Sequence, residues 1–326
     1  MADLGTTYLG LKLKNPLVVA ASGLTGNVEG VSKAAAAGAG AVVLKSLFEE
    51  QLGAELQAVA AALADNPHPE ADAFFKRAGM EEGAREYLRL IEQSKDKGVP
   101  VIASVNCVAS ARWAEFAERI QGAGADALEL NMALLPRSPA ETGAEVEDRL
   151  LAAVAEVRAA TTLPLSVKLG QGYASLPSLA SRLVGVGAAG LVLFNRFYRL
   201  DVDLSSLVLK SGPARSGGDE YHESLRWISL LAGRQRCDLA AATGIHDAET
   251  ALKLIAVGAD VAQLCSVIYR RGFGVIGEIA RAMGDWLDIH EFSSLEAVRG
   301  RLSQAHSENP SAHERLQYIQ ALTGIS

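Results

Sequence analysis

Two lysines, three asparagines and a series of small hydroxyl and glycine residues recur at one kind of place in this sequence, the end of an apolar run. Ser22 and Gly23 follow the first run, Lys45 and Ser46 the second, Asn106 the third and Asn131 the fourth. Lys168 closes the fifth, Asn195 the sixth, Thr243 and Gly244 the seventh, and Cys265 and Ser266 the eighth. A lone Lys or Asn at a strand end is ordinarily a solvated loop residue. A whole series in register is different, because side chains at the C-terminal ends of barrel strands converge on one mouth. The set predicts an electropositive, amide-lined pocket.

The ligand of such a pocket can be narrowed by its small residues. Gly244 opens TGIHDAETALKLI, in which Asp247 can start a helix whose free backbone N–H groups face an anion. Alone, Asp247 reads as an ordinary helix cap. With Ser266 and the Gly217–Gly218 turn beside it, a phosphate site after the last two strands is the preferred reading. The lysines suit an electron-accepting ring: a flavin taking up hydride gains negative charge along one edge, and an ammonium there stabilises it. A Schiff base on either lysine is the other chemistry open to them.

The elements that must position these residues are legible as alternation along the chain. Eight short apolar runs are NPLVVAAS (15–22), AVVLKS (41–46), VPVIASVN (99–106), ALELNM (127–132), LPLSVKL (163–169), GLVLFN (190–195), CDLAAATG (237–244) and VAQLCSV (261–267). Continuous hydrophobicity is what parallel strands covered on both faces require. Segments with helical spacing lie between them, at 27–37, 84–97, 110–122, 144–159, 175–187, 220–234, 246–257 and 272–285. Several end in a glycine turn, as in AAAAGAGA, QGAGADA, VGVGAAG and AVGADV. The order predicts an α/β fold, a (β/α)8 TIM barrel, in a single domain spanning 1–326. Its core runs over about 15–287 and a short helical tail over about 288–326. A doubly wound open sheet is the runner-up, without a GxGxxG after the first strand to support it. Two long insertions, 47–83 and 196–219, fall after strands, where barrel loops build or cover active sites.

Composition excludes several function classes. The net charge of −7 and scattered basic residues argue against nucleic acid. The three cysteines, Cys107, Cys237 and Cys265, form no CxxC pair and no metal-ligand spacing, so no metal is expected. The N-terminus lacks signal-peptide features, and no apolar run approaches the roughly 18 residues of a membrane span. A cytoplasmic protein is the expectation.

In order and spacing, NPLVVAASGLTGN, GAGAVVLKS, VPVIASVN, DALELN, LPLSVKL, LVLFN, SGG, ATGIHDAETALKLIAVGADVAQLCSVIYRRG and HEFSSLEAVRGRL resemble the dihydroorotate dehydrogenase family, in particular its soluble class 1 members. The resemblance covers most of residues 5–303. It implies a barrel holding FMN at its C-terminal mouth, with Ala21, Ser22, Gly23, Lys45 and Ser46 along the flavin. Asn131, Lys168 and Asn195 would hold the ring or the substrate, Lys45 would stabilise charge, and Asn106 joins the cofactor set by its place at a strand end. Gly217 or Gly218, Thr243, Gly244, Cys265 and Ser266 would hold the phosphate. A homodimer and a soluble electron acceptor or redox partner are implied in the same way.

Departures from the family pattern sit on the substrate side. After its strand-four Asn the family places Ser, then a Cys or Ser base, then Pro-Asn. Here Leu134 stands at the position of the base and Pro136 at that of the following Asn. Where the family binds the pyrimidine with Asn and Met-Gly-Leu-Pro-Asn, this chain has FFKRAGMEEG. The resulting expectation is an FMN-dependent oxidoreductase that transfers hydride between flavin and a small substrate, anionic or pyrimidine-like. The alternatives are a true dihydroorotate dehydrogenase with a substitute base, a non-catalytic flavin-binding redox partner subunit, and a non-redox aldolase-like barrel. Ser138 is a candidate base, although it reads more readily as a turn residue beside Pro139. Cys107 reads mainly as core. Arg137, Arg196 and Tyr198 are candidates to recognise an anionic or planar substrate, while most of the histidines read as surface residues, only His222 and His246 lying near strand ends.

Overall fold

A computed structural model describes residues 2–48, 83–106, 110–132, 134, 136–196, 199–311, 313 and 315. Each of the eight apolar runs forms a strand, shorter than the run by a few residues: β1 Leu17–Val19, β2 Ala41–Val43, β3 Val101–Asn106, β4 Ala127–Met132, β5 Leu165–Leu169, β6 Gly190–Leu193, β7 Asp238–Ala242 and β8 Val261–Leu264. Every strand pairs in parallel with its sequence neighbour, and β8 returns to β1, so the sheet closes. This is a (β/α)8 barrel.

The intervening helices are α1 Val28–Ala36, α2 (83–94), α3 Ser110–Ala123, α4 Gly143–Ala160, α5 Leu176–Gly185, α6 His222–Leu231, α7 Ala248–Ala256 and α8 Val275–Ile289. Their apolar faces and the outward faces of the strands share one large buried cluster. Gly38, Gly124, Gly187 and Gly258 end helices with positive φ, as the four glycine-rich turns predict.

A second buried cluster fills the barrel interior. Its floor is a feature the sequence reading passed over, an N-terminal hairpin of Thr6–Tyr8 and Leu11–Leu13. Tyr8, Leu9 and Leu13 are buried and pack with Val18, Val43, Ile102, Ala127, Val192 and Val261. Gly190 leaves the space that Leu9 needs, since a Cβ there would lie 2.8 Å from the Leu9 side chain.

The insertion after β6 also holds a hairpin, Leu200–Asp203 with Val208–Ser211. Its register puts Leu200, Val202 and Leu209 on one face, all exposed, and Asp201 and Lys210 on the other. The tail after α8 carries 3-10 turns at Leu295–Ala297 and Gln304–His306, followed by helical residues at 310, 311, 313 and 315. Most of the 47–83 insertion, together with Cys107 and Tyr198, lies outside the described residues.

Candidate active site

The cleft at the C-terminal mouth is built upward from the strand ends. Lys168 and Asn131 sit at paired positions of β5 and β4, two residues beyond Ser166 and Glu129, so all four side chains face the interior. Lys168 is buried at the floor of the cleft, where its ammonium donates to Gln263 Oε1 at 3.0 Å and lies 3.8 Å from Glu129 Oε1. Gln263 Nε2 donates to Glu129 Oε2 at 2.8 Å, which closes a buried Lys–Gln–Glu triangle.

One side of the mouth is an amide and hydroxyl chain. Asn195 Nδ2 donates to Asn131 Oδ1 at 2.8 Å, Asn131 Nδ2 reaches Ser46 Oγ at 3.5 Å, and Ser46 meets Ser104 Oγ at 2.8 Å. Tyr87, from α2, anchors Ser104 by accepting its N–H at 2.7 Å and donating to its carbonyl at 2.9 Å. Lys45 is exposed at the rim. The buried Thr25 holds the turn under it, donating to Val43 O at 2.7 Å and accepting at its own carbonyl from Lys45 N–H at 3.3 Å.

The opposite side is a hydroxyl nest. Ser216, buried, places its N–H on Ser266 Oγ at 2.9 Å and its Oγ 3.0 Å from the same atom, and it accepts from Gly244 N–H at 3.3 Å. Thr243 and Gly244 both adopt positive φ, and Thr243 is secured by its Oγ1 donating to Phe194 O at 3.2 Å. Arg270 holds the nest from behind through Ser216 O at 2.8 Å, and His246 Nε2 lies 3.4 Å from Ser216 Oγ. Burial, and then the Arg270 charge, push the His246 imidazole below its ordinary pKa.

The structure brings Ala21, Lys168, Asn195, Thr243, Gly244, Cys265 and Ser266 onto one cleft of about 180 Å³. Asn131 and Ser46 join it through Asn195, and Ser22 is close enough to hydrogen-bond the Cys265 thiol, which burial holds above its ordinary pKa. Gly217 faces an adjoining cleft with Arg199 and Glu223. Its N–H is taken by Glu220 Oε1 at 2.7 Å. Gly23 starts a short 3-10 turn, Gly218 another, and Asn106 is half-buried at the end of β3. Asp247 is an ordinary cap in this structure, accepting the Thr250 N–H at 2.8 Å.

On the substrate side, Leu134 is half-buried and packs against the outer core. Beyond it the loop is organised around Glu141, which accepts from Arg137 N–H and pairs with Arg149 at 2.7 Å. Ser138 is exposed in that turn, its Oγ accepting from Ala140 N–H at 3.3 Å. Arg196 is held by Glu220, Nε to Oε2 at 2.9 Å, and donates to Pro213 O at 2.7 Å; Arg199 shares the same carboxylate at 3.1 Å. Partial burial opposes the Glu220 charge, yet hydrogen bonds from Arg196 and Gly217 keep its carboxyl below the usual range. Sequence reasoning missed Glu129, Gln263, Ser104 and Ser216. Glu129, Gln263 and Ser104 are lone polar residues inside apolar strands, whereas Ser216 opens the SGG loop; only barrel closure shows that Glu129 and Gln263 meet.

An ammonium floor, a chain of amides and a nest of hydroxyl and backbone donors in one cleft make this a barrel built for a phosphorylated planar cofactor. The donor set fits FMN: the nest would meet a phosphate with neutral hydroxyl and backbone groups, and Lys168 would supply positive charge to the ring. The sequence model of the dihydroorotate dehydrogenase family matches residues 3–287, and the chain belongs to that family, whose members are FMN-dependent oxidoreductases acting on CH–CH bonds. Similar proteins include the catalytic subunits of dihydroorotate dehydrogenase B (NAD(+)) from two archaea. The Thermoplasma acidophilum protein is 25% identical over 308 residues, covering 92% of this chain and 99% of the relative. The Methanosarcina mazei protein is 28% identical over 307 residues, covering 90% and 93%. The chloroplastic dihydropyrimidine dehydrogenase (NADP(+)) of Arabidopsis thaliana is 22% identical over 338 residues, covering 93% and 77%. Among the described residues no helix is long and apolar enough to cross a membrane, and no cluster of His, Cys, Asp and Glu has metal-binding geometry.

Proposed function

We propose that this protein is an FMN-dependent oxidoreductase whose substrate is a small, anionic or pyrimidine-like molecule other than dihydroorotate. One contrast supports the reading: seven of the expected cofactor residues line one cleft, while Leu134, at the position that the resemblance assigns to the family's base, is apolar and packs against the outer core. FMN bound here would supply hydride transfer. Lys168 and Lys45 would offset the negative charge that accompanies it. Asn131 and Asn195 would orient the reacting face, each fixing the other through their 2.8 Å bond. The Ser216, Gly244 and Ser266 nest would anchor the phosphate.

A missing general base costs about 10²–10⁴-fold. Anaerobic mixing with dihydroorotate is therefore expected to leave the flavin absorbance unbleached. Rapid bleaching at any pH would show a true dihydroorotate dehydrogenase with a substitute base and overturn this reading. Replacing the exposed Lys45 with alanine should slow flavin reduction by the protein's own substrate by about 10²–10³-fold, measured by stopped flow. Unchanged kinetics would remove Lys45 from its assigned role.

A soluble redox partner belongs to the same proposal. Relatives from Thermoplasma and Methanosarcina are named as catalytic subunits, and the hairpin that leaves the cleft beside Arg196 exposes an apolar face. The cytoplasm and a single barrel domain are the matching assignments for location and organisation.

A further inference from the structure

Below the cleft, the barrel interior contains a polar layer that packing does not require. Glu129 is fully buried, and its Oε1 has no hydrogen-bond partner among the described residues. Ser166, on the neighbouring strand at the paired position, and Tyr8, rising from the floor hairpin, are buried in the same layer, close enough to hydrogen-bond each other. Orphaned buried polar atoms are rare in folded proteins, and a buried ion pair is commonly no more stabilising than apolar residues of the same volume. A carboxylate kept at this depth calls for a reason other than stability. Its only charged neighbour within ion-pair distance among the described residues is Lys168, and Lys168 is the residue that lines the cleft.

We propose that Glu129 is a positioning residue that sets the charge beneath the cofactor. It acts through Gln263 and Lys168: the carboxylate orients the Gln263 amide, whose oxygen receives the Lys168 ammonium. Its own negative charge, 3.8 Å from that ammonium, offsets the field the ammonium projects into the cleft. Reduction adds negative charge to FMN, so Lys168 alone would favour the reduced form and Glu129 restrains that preference. Tyr8 reports the same field from below. Its phenol is raised well above the ordinary pKa, first by burial and then by the Glu129 charge. The inference rests on FMN occupying the cleft.

Spectroelectrochemical titration of the FMN-loaded full chain tests it. Glu129→Gln removes the charge and keeps the shape, and should shift the oxidised-to-reduced equilibrium at least tenfold toward the reduced form. For a two-electron couple that is a rise of about 30 mV. Glu129→Asp keeps the charge and should stay near the wild-type midpoint, which a purely steric role would not predict. Should Glu129→Gln fail to fold, Glu129→Leu carries the test, with the same rise expected. A folded, FMN-loaded charge-free variant with the wild-type midpoint overturns the inference. A wild-type protein that takes up no FMN overturns the functional reading instead, and this one with it.

Discussion

Gly244→Ala is expected to destabilise the fold by about 2–5 kcal/mol and to abolish tight FMN binding in the fraction that remains folded. Two costs add. Gly244 has φ of 78°, where a side chain costs about 1–2 kcal/mol. Its Cβ would also fall 2.3 Å from Tyr221 N and 2.8 Å from the Glu220 carbonyl carbon. Those atoms are backbone, so relief requires the start of α6 to move, and overpacking of this kind costs about 1–3 kcal/mol. The movement would also pull Gly244 N–H from Ser216 Oγ, the contact that ties β7 to the hydroxyl nest. Urea unfolding and flavin titration read the two effects separately. Gly143→Ala is the control, since a Cβ there meets nothing within 4 Å and should change stability by no more than about 0.5 kcal/mol. Wild-type stability and affinity in Gly244→Ala would mean that the nest tolerates displacement and is not the phosphate anchor.

The barrel was readable because its strands are covered on both faces, which makes them continuous apolar runs bounded by glycine turns. Where the chain departs from that rule, the reading thinned. The hairpin over 200–211 does alternate, as LDVD and VLKS around a short turn, and its period of two was the available signal. The floor hairpin carried a weaker one, Leu9 and Gly10 both at positive φ between three-residue strands. The strand-end residues were found because position alone identifies them. Glu129 was not, because ALELN reads as an apolar strand with one polar interruption, and strand inspection cannot say that β4 and β8 approach across a closed interior. Arg196 shows the opposite limit. Its type and place mark it as an anion binder, but in the structure its anion is Glu220, a partner 24 residues away that only folding brings near. An incoming carboxylate or phosphate would have to compete with that pair.

The asymmetry of the Lys168–Glu129 pair makes the remaining large effect directional. The two side chains are 9% and 1% exposed, so the lysine borders the cleft while the carboxylate is enclosed by the barrel. Lys168→Met should therefore cost about 3–5 kcal/mol in the FMN-free protein, the penalty for leaving an uncompensated charge buried. Glu129→Gln should cost less, because Lys168 keeps its bond to Gln263 Oε1 and can draw on water in the open cleft. The Lys168→Met/Glu129→Gln double variant should then recover part of the Lys168→Met loss, with a coupling energy of about 0.5–3 kcal/mol. Denaturant unfolding of the four proteins gives all three quantities. Additive losses, or a Glu129→Gln variant that is the less stable of the two single variants, would show that the pair is not a desolvated ion pair. The charge balance proposed beneath the cofactor would then lose its physical basis, since a carboxylate that does not feel Lys168 cannot offset it.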